Sequence, residues 1–183
     1  MITRPAAFRV YGEPAPKGSL AGRCLTHPKI GQIVRAPQRV VMSEGANRGR
    51  PWRKKIEKAA PIHITERADR HQPLRVTLLF AVTRTAAAEG RAYPSTRSAQ
   101  NVGGDLDKLI RLVLDALESC GVLADDAQVV ELDPRKVYAD HPDWGRVDGN
   151  GAPVPGLYCR VEPVGYIPPE LPYEAGDDDE RCG

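Results

Sequence analysis

The sequence predicts one α/β (α+β) domain in which helices pack on a single mixed β-sheet, with long basic loops around it. An alternating strand pattern at residues 74–82 and an apolar repeat of three and four residues at 106–120 indicate the two element types. The length of 183 residues suits one core, and the 5% aromatic content makes that core small and aliphatic. The patterns alone leave parallel and mixed strand pairing open.

The N-terminal half alternates short elements with basic segments. Residues Phe8–Tyr11 predict a first strand, ended by the Gly- and Pro-rich residues 12–18. Residues 17–50 read as a long basic loop with a short β segment at 33–41. A helix should begin at Pro51 and stop at Pro61, with one face formed by Trp52, Ile56, Ala59 and Ala60.

The C-terminal half should complete the sheet. After the strand at 74–82 comes a polar loop at 83–104, and then an amphipathic helix at 107–120 that Gly121 ends. Residues 129–132 and 157–161 predict further strands, separated by a Gly- and Pro-rich excursion at 141–156. The acidic residues 167–183 have too little apolar content to fold. We therefore expect a domain at 1–166 and a disordered tail at 167–183.

The charges are unevenly divided along the chain. Residues 1–111 hold 21 Lys and Arg against 8 Asp and Glu, a net +13, whereas residues 112–183 hold 5 against 16, a net −11. Such a chain can bind a polyanion with one part and offer carboxylates to a cation with another, although a solvated charge dipole without function is the alternative. No apolar run reaches the roughly 18 residues of a membrane span and no signal segment is evident, so we expect a cytoplasmic protein.

Two pairs of aspartates are candidate metal ligands. Asp105 and Asp107 lie two residues apart at the mouth of the second helix, where an extended backbone would point both carboxylates at one divalent cation. Asp125 and Asp126 follow that helix after a short turn. Because the helix rises roughly 21 Å, the chain must fold back along it for the pairs to meet. Helix capping for Asp107 and a solvated turn for the second pair remain open alternatives.

Arg111 shares a helical face with Asp107 and Asp115. It could lean over a metal site to meet phosphate, or it could form an ordinary ladder of ion pairs with the two aspartates. Other chemistries find no support: the nucleophile-elbow, phosphate-loop, zinc-protease and dinucleotide-binding motifs are absent from the sequence. The four cysteines are too far apart to predict a zinc site and are expected to be reduced.

The strings DLDKLIRLVLDAL at residues 105–117 and GVLADDAQVV at 121–130 resemble the core motif of the RusA family of Holliday junction resolvases. That pattern reads approximately DxDNxxK, then DAL, then G and a DD-x-Q-V/I segment, and it matches without a gap over 26 residues. Pro16-Lys17-Gly18 resembles, more weakly, a turn that such proteins often have. The loop insertions and the acidic tail have no counterpart in the pattern.

The resemblance implies roles for individual residues. Asp105, Asp107 and Asp126 become the metal-binding catalytic acids, and Asp125 becomes a supporting member of its pair. The family's lysine falls on Arg111 and its asparagine falls on Lys108, and both are departures from the pattern. An arginine can stabilise charge but cannot serve in proton transfer.

The resemblance also implies Mg²⁺-dependent hydrolysis of phosphodiesters in branched, four-way DNA by a homodimer. Resolvases of this type act in recombination and repair and are often encoded by phages. Phosphate contacts are then expected from basic residues along the chain: Lys17, Arg53, Lys54, Arg84, Arg91, Arg97, Lys108 and Lys136. A non-catalytic DNA-binding protein on the same scaffold is the alternative, and a protein that interacts through its acidic tail ranks last.

Overall fold

The computed structural model describes residues 1–16, 49–94 and 104–165, together with the backbone of residues 20–24 and 40–44. Its strands are β1 (Ala6–Tyr11), β2 (Leu20–Cys24), β3 (Val40–Glu44), β4 (Leu74–Val82), β5 (Val129–Tyr138) and β6 (Gly156–Pro163). Its helices are α1 (Gly49–His63) and α2 (Leu106–Ser119). None of the helices in this described part is long and apolar enough to cross a membrane.

Four of the strands form one mixed sheet in the order β1-β6-β4-β5. β6 pairs antiparallel with both β1 and β4, whereas β4 and β5 pair in parallel. Parallel neighbours need a crossover connection. α2, which lies between β4 and β5 in the chain, supplies it by running back across one face of the sheet. The predicted fold class, one mixed sheet with helices packed on it, is confirmed.

The core lies between the sheet and the two helices. β4 is the most apolar strand because it is central, and its residues Leu78 and Phe80 are fully buried. Ile56 of α1 and Val113 of α2 are also fully buried and belong to the same apolar cluster. The sequence periodicity therefore identified both helix faces that cover the sheet.

Residues 139–155 cover one end of the opposite face of the sheet. Trp144 packs in a small second cluster with Ala81 and Val137, and its indole N–H donates to the carbonyl of Val154 at 2.6 Å. Gly156 lies directly beneath the indole, where a Cβ atom would meet the ring at 2.8 Å. The excursion predicted at 141–156 is thus a packed cover.

Several predicted boundaries were wrong, each for a local reason. Residues 17–50 are not only loop, because β2 and β3 pair in a separate two-stranded sheet; the β segment predicted at 33–41 overlaps β3 at 40–41, and residues 25–39 lie outside the described part. α1 continues past Pro61 because a proline in the last turn removes a single hydrogen bond. β5 extends through Pro134, which an edge strand tolerates.

Two further predictions concern parts of the chain that are little described. The loop predicted at 83–104 contains a short 3₁₀ turn at Ala86–Ala88, and its residues 95–103 lie outside the described part. The acidic tail at 167–183 also lies outside it, so its disorder and the domain boundary stay predictions. Cys120 and Cys159 are free thiols, and burial raises the pKa of each, most strongly that of fully buried Cys159.

Candidate functional site

The first acid pair lies where the chain enters α2. Gly104 makes the turn with a φ of +56°, and Asp105 then takes an extended backbone as the N-cap residue. The Asp105 carboxylate makes no capping hydrogen bond to the helix. Asp107 is already helical and its side chain is exposed. The extended backbone that was assumed for both residues is therefore found only at Asp105.

Two lysines approach Asp105 from different elements. Lys108, one turn along α2, places its Nζ 2.9 Å from a carboxylate oxygen of Asp105. Lys136 of β5 donates from Nζ to the carbonyl oxygen of Gly104 at 3.0 Å. Burial lowers the pKa of Lys136, and the charge of Asp105 acts in the opposite direction. The side chain of Asp105 is 32% exposed to solvent.

The turn before Asp105 is tightly packed against the segment that follows β1. A Cβ atom on Gly104 would come within 2.5 Å of Cγ of Pro16. A Cβ atom on Gly49, the first residue of α1, would come within 3.0 Å of the Pro16 carbonyl oxygen. Pro16 therefore fits between two glycines, and the next residue, Lys17, lies outside the described part.

The second acid pair divides into a structural and an exposed member. Asp125 caps the 3₁₀ turn at Asp126–Gln128 by accepting the Ala127 N–H at 2.9 Å, and it forms a capping box with Gln128. The side-chain amide of buried Gln128 also donates to the carbonyls of Asp69 and Gln72. Asp126 is exposed. The assignment of Asp125 as the supporting residue and of Asp126 as the metal ligand stays a prediction.

The structure does not bring the two acid pairs together within one chain. α2 has 14 residues and separates the pairs by about 20 Å, at 1.5 Å per residue. The second pair precedes β5, whereas Lys136, near the end of β5, reaches the turn before Asp105. Across the described residues, no three Asp, Glu, His or Cys side chains are grouped to hold one metal ion. β5 begins at the far end of the helix, so the returning strand does not carry Asp126 back to Asp105 and Asp107 within one chain.

Arg111, which occupies the position of the family's lysine, is exposed on α2. Within the described part of the chain it forms no ion pair with Asp107 or Asp115, so the predicted ladder does not hold it. Its side chain can therefore reach a bound phosphate near the start of the helix. Lys108 is committed to Asp105 and neutralises part of its charge.

Two of the predicted DNA contacts have protein partners instead. Arg53 bonds to Glu57 at 2.7 Å and also reaches Ser119, which ties α1 to α2. Arg84 forms a two-pronged ion pair with Asp140 at 2.6 and 3.0 Å. Its guanidinium also stacks 3.9 Å from the centroid of the Tyr138 ring. These contacts occupy both guanidinium groups, and a role of either residue in DNA binding stays a prediction.

The remaining predicted DNA contacts vary in what the structure describes. Lys54, on the outer face of α1, and Arg91 are exposed. Lys136 is half-buried against Gly104, which the sequence did not indicate. Lys17 and Arg97 lie outside the described residues.

The sequence reading missed the packing of Pro16 against Gly104 and the bond from Lys136 to the same glycine. Both contacts join residues far apart in the chain, and a single sequence carries no signal for such pairs. The Gly103-Gly104 dipeptide was the only local hint that the backbone must turn sharply there.

Comparison with known proteins agrees with the motif. A family model described as Endodeoxyribonuclease RusA matches residues 30–145, which is more than half of the chain and includes both acid pairs. A search of curated proteins finds no match. The chain therefore belongs to the RusA family of endodeoxyribonucleases, the Holliday junction resolvases.

Proposed function

We propose that this chain is a Mg²⁺-dependent endonuclease that resolves four-way DNA junctions by hydrolysing phosphodiesters, in recombination and repair. It would act in the cytoplasm, which is that of the host cell if a phage encodes it. The observation that carries the proposal is that the two acids at the start of α2, which lie inside the family match, are not used to cap the helix. Asp105 does not spend its carboxylate on capping α2, and Asp107 beside it is exposed.

The carboxylate oxygens of this motif are the type of ligand that Mg²⁺ prefers. Mg²⁺ is held by one or two carboxylates, with waters and substrate phosphate oxygens at its other positions. Asp105 and Asp107 would hold the ion at the start of α2, and Asp126 would be the third ligand. When bound, the ion supplies an activated water and neutralises charge on the phosphate.

Basic residues around the acids would handle the negative charge of the DNA. Lys108 lies 2.9 Å from Asp105 and fixes that carboxylate on the helix side. Exposed Arg111 extends from the next turn of α2, where its planar guanidinium can meet two phosphate oxygens at once. An arginine here stabilises developing charge, and no proton transfer is assigned to it.

The separation of the acid pairs bears on the proposed homodimer. Asp126 lies at the opposite end of α2 from Asp107, so it can meet that residue only in a second copy of the chain. Among the described residues, β5 is the edge of the sheet and pairs only with β4, and it exposes Val130 and Leu132. β5 also carries Glu131, Asp133 and Pro134, but its unpaired backbone groups can pair with another chain, and that chain would cover Val130 and Leu132.

Antiparallel pairing of two β5 edges about a two-fold axis would set the start of one strand beside the end of the other. Asp126 comes just before β5, and Lys136 near its end contacts the turn that leads to Asp105. We therefore propose that Asp126 of the partner subunit completes each metal site. A dimer of this form carries two equivalent sites, which suits paired cuts in a four-way junction.

The DNA surface would then draw on exposed basic residues. Lys54 and Arg111 are exposed on α1 and α2, and these helices pack side by side. Arg91 is a third exposed candidate, and Lys17 and Arg97 remain candidates from the sequence. Such contacts to phosphate select shape and charge more than base sequence.

The test is cleavage of a synthetic four-way junction by the purified full chain, with Mg²⁺ titrated against a chelator. We expect strand cuts in the junction that require Mg²⁺, and little cutting of a linear duplex with the same base sequence. The reason is that the acids cannot activate water without a cation.

Junction binding without cleavage at any Mg²⁺ concentration would contradict the proposed activity. That result would favour the alternative of a non-catalytic DNA-binding protein on this scaffold, in which Lys108 and Arg111 mark a lost active site. Cleavage of junction and duplex at equal rates would contradict the structural selectivity alone.

A further inference from the structure

Lys136 is placed on the helix side of the sheet, at the inner edge of the candidate site. It pairs in register with Phe80 of β4, whose side chain is fully buried in the core under the helices. Because side chains alternate along a strand, Lys136 projects to that same face. Its ammonium ends 3.0 Å from the carbonyl oxygen of Gly104.

The orientation of the Gly104 carbonyl affects the site because the next residue is Asp105. Rotation of this peptide would turn the Asp105 side chain relative to α2. Pro16 packs against the Cα side of Gly104, and Lys136 holds its carbonyl. The turn is thus held by van der Waals contact on one side and by a charged hydrogen bond on the other.

The neighbouring residue Arg135 gives a direct contrast. It projects to the other face of β5, is about half exposed, and pairs with Asp143 at 2.8 Å. Lys136 is half-buried and its described hydrogen bond is to the backbone of the site. A residue whose main task was to meet DNA phosphate would be expected to reach solvent.

We propose that Lys136 is a positioning residue, which fixes the Gly104 carbonyl and thereby the orientation of Asp105 toward the metal, and not a contact to DNA. The inference rests on the proposed function, because one of its tests measures cleavage of DNA. Residues that orient a metal ligand typically contribute 10- to 100-fold, by order of magnitude, in metal affinity or activity.

The test compares Lys136→Met, Lys136→Arg and the control Arg135→Met in the full-length protein. Methionine keeps an unbranched stem in the half-buried space but removes the donor. We measure Mn²⁺ binding without DNA by electron paramagnetic resonance, junction affinity in chelator over a range of salt, and single-turnover cleavage with Mg²⁺. Melting temperature confirms that each variant is folded.

For Lys136→Met we expect Mn²⁺ affinity and cleavage rate to fall by about 10- to 100-fold, with junction affinity and its salt dependence unchanged. Lys136→Arg should recover part of the loss, and Arg135→Met should match the wild type. If Lys136→Met instead weakened junction binding and lowered the salt slope by about one, Lys136 would be a phosphate contact and the inference would be overturned. Unchanged values in every assay would overturn it as well.

Failure of the proposed function is separable from failure of this inference. A wild-type protein that never cuts DNA would refute the nuclease activity. The Mn²⁺ comparison between Lys136→Met and Arg135→Met would still decide whether Lys136 sets the cation-binding carboxylate.

Discussion

Replacing Asp107 with asparagine should abolish junction cleavage, with a loss on the order of a thousandfold or more. Asp107 is exposed in the first turn of α2 and serves no capping role, so the change removes a metal ligand with little cost to the fold. The carboxylate also favours the helix N-terminus, which makes a small stability loss of about 0.5 kcal/mol the expected side effect. Junction binding in chelator should be retained, because the lost group is negative and cannot contact phosphate favourably.

Glu118→Gln is the matched control for this variant. It removes one exposed carboxylate from the same helix, about three turns from Asp107, and no role in the metal site is assigned to it. Its cleavage rate should equal that of the wild type. Retained cleavage in Asp107→Asn, or an equal loss in both variants, would contradict the assignment of Asp107 as a metal ligand.

Gly104→Ala should be among the most damaging single-methyl additions in the chain. The backbone at Gly104 has a φ of +56°, which costs an alanine roughly 1 kcal/mol. Its Cβ would also lie 2.5 Å from Pro16, and overpacking of this kind costs about 1 to 3 kcal/mol. We expect the free energy of unfolding to fall by about 2 to 4 kcal/mol, and cleavage to fall further because the turn carries Asp105.

Gly90→Ala separates the two contributions. Gly90 also has a positive φ, of +77°, but a Cβ there would meet no atom within 4 Å. It should therefore lose only the backbone term, about 1 kcal/mol by chemical denaturation. Equal destabilisation in the two variants would show that Pro16 does not pack closely on the turn.

The sequence predicted the elements whose burial pattern is strong. β4 was expected at residues 74–82 and has those bounds, because its alternate residues Leu74, Val76, Leu78 and Phe80 are buried under the helices. α2 was expected within one residue of its ends, since its apolar face repeats over four turns and Gly121 stops it with a φ of +74°. Local periodicity and local backbone chemistry suffice for such elements.

The layout of the site was harder to predict because it depends on contacts between distant residues. The gapless motif placed both aspartate pairs within 26 residues, and this proximity in sequence suggested a shared site in one chain. α2 and β5 are rigid and antiparallel in space, and they hold the pairs at opposite ends. Whether the two pairs can bind the same ion depends on how the chain folds between them and on whether two subunits associate.

The charged residues show the same limit. From the sequence, Arg53, Arg84 and Lys136 looked equally suited to phosphate. The structure gives Arg84 a carboxylate and an aromatic ring, gives Arg53 contacts on both helices, and turns Lys136 toward Gly104. Apart from Glu57, which lies four residues from Arg53 in α1, these partners are 32 or more residues away, so composition and spacing could not reveal them.

A mixed dimer of Asp107→Asn and Asp126→Asn chains tests the account most directly. Each variant alone should be inactive. In a mixed dimer isolated through two different affinity tags, a site shared between subunits predicts one intact site, formed by the unchanged Asp107 of one chain and the unchanged Asp126 of the other. We predict Mg²⁺-dependent single nicks in a four-way junction at about half the wild-type rate per dimer. A mixed dimer as inactive as its two parents would contradict the shared site.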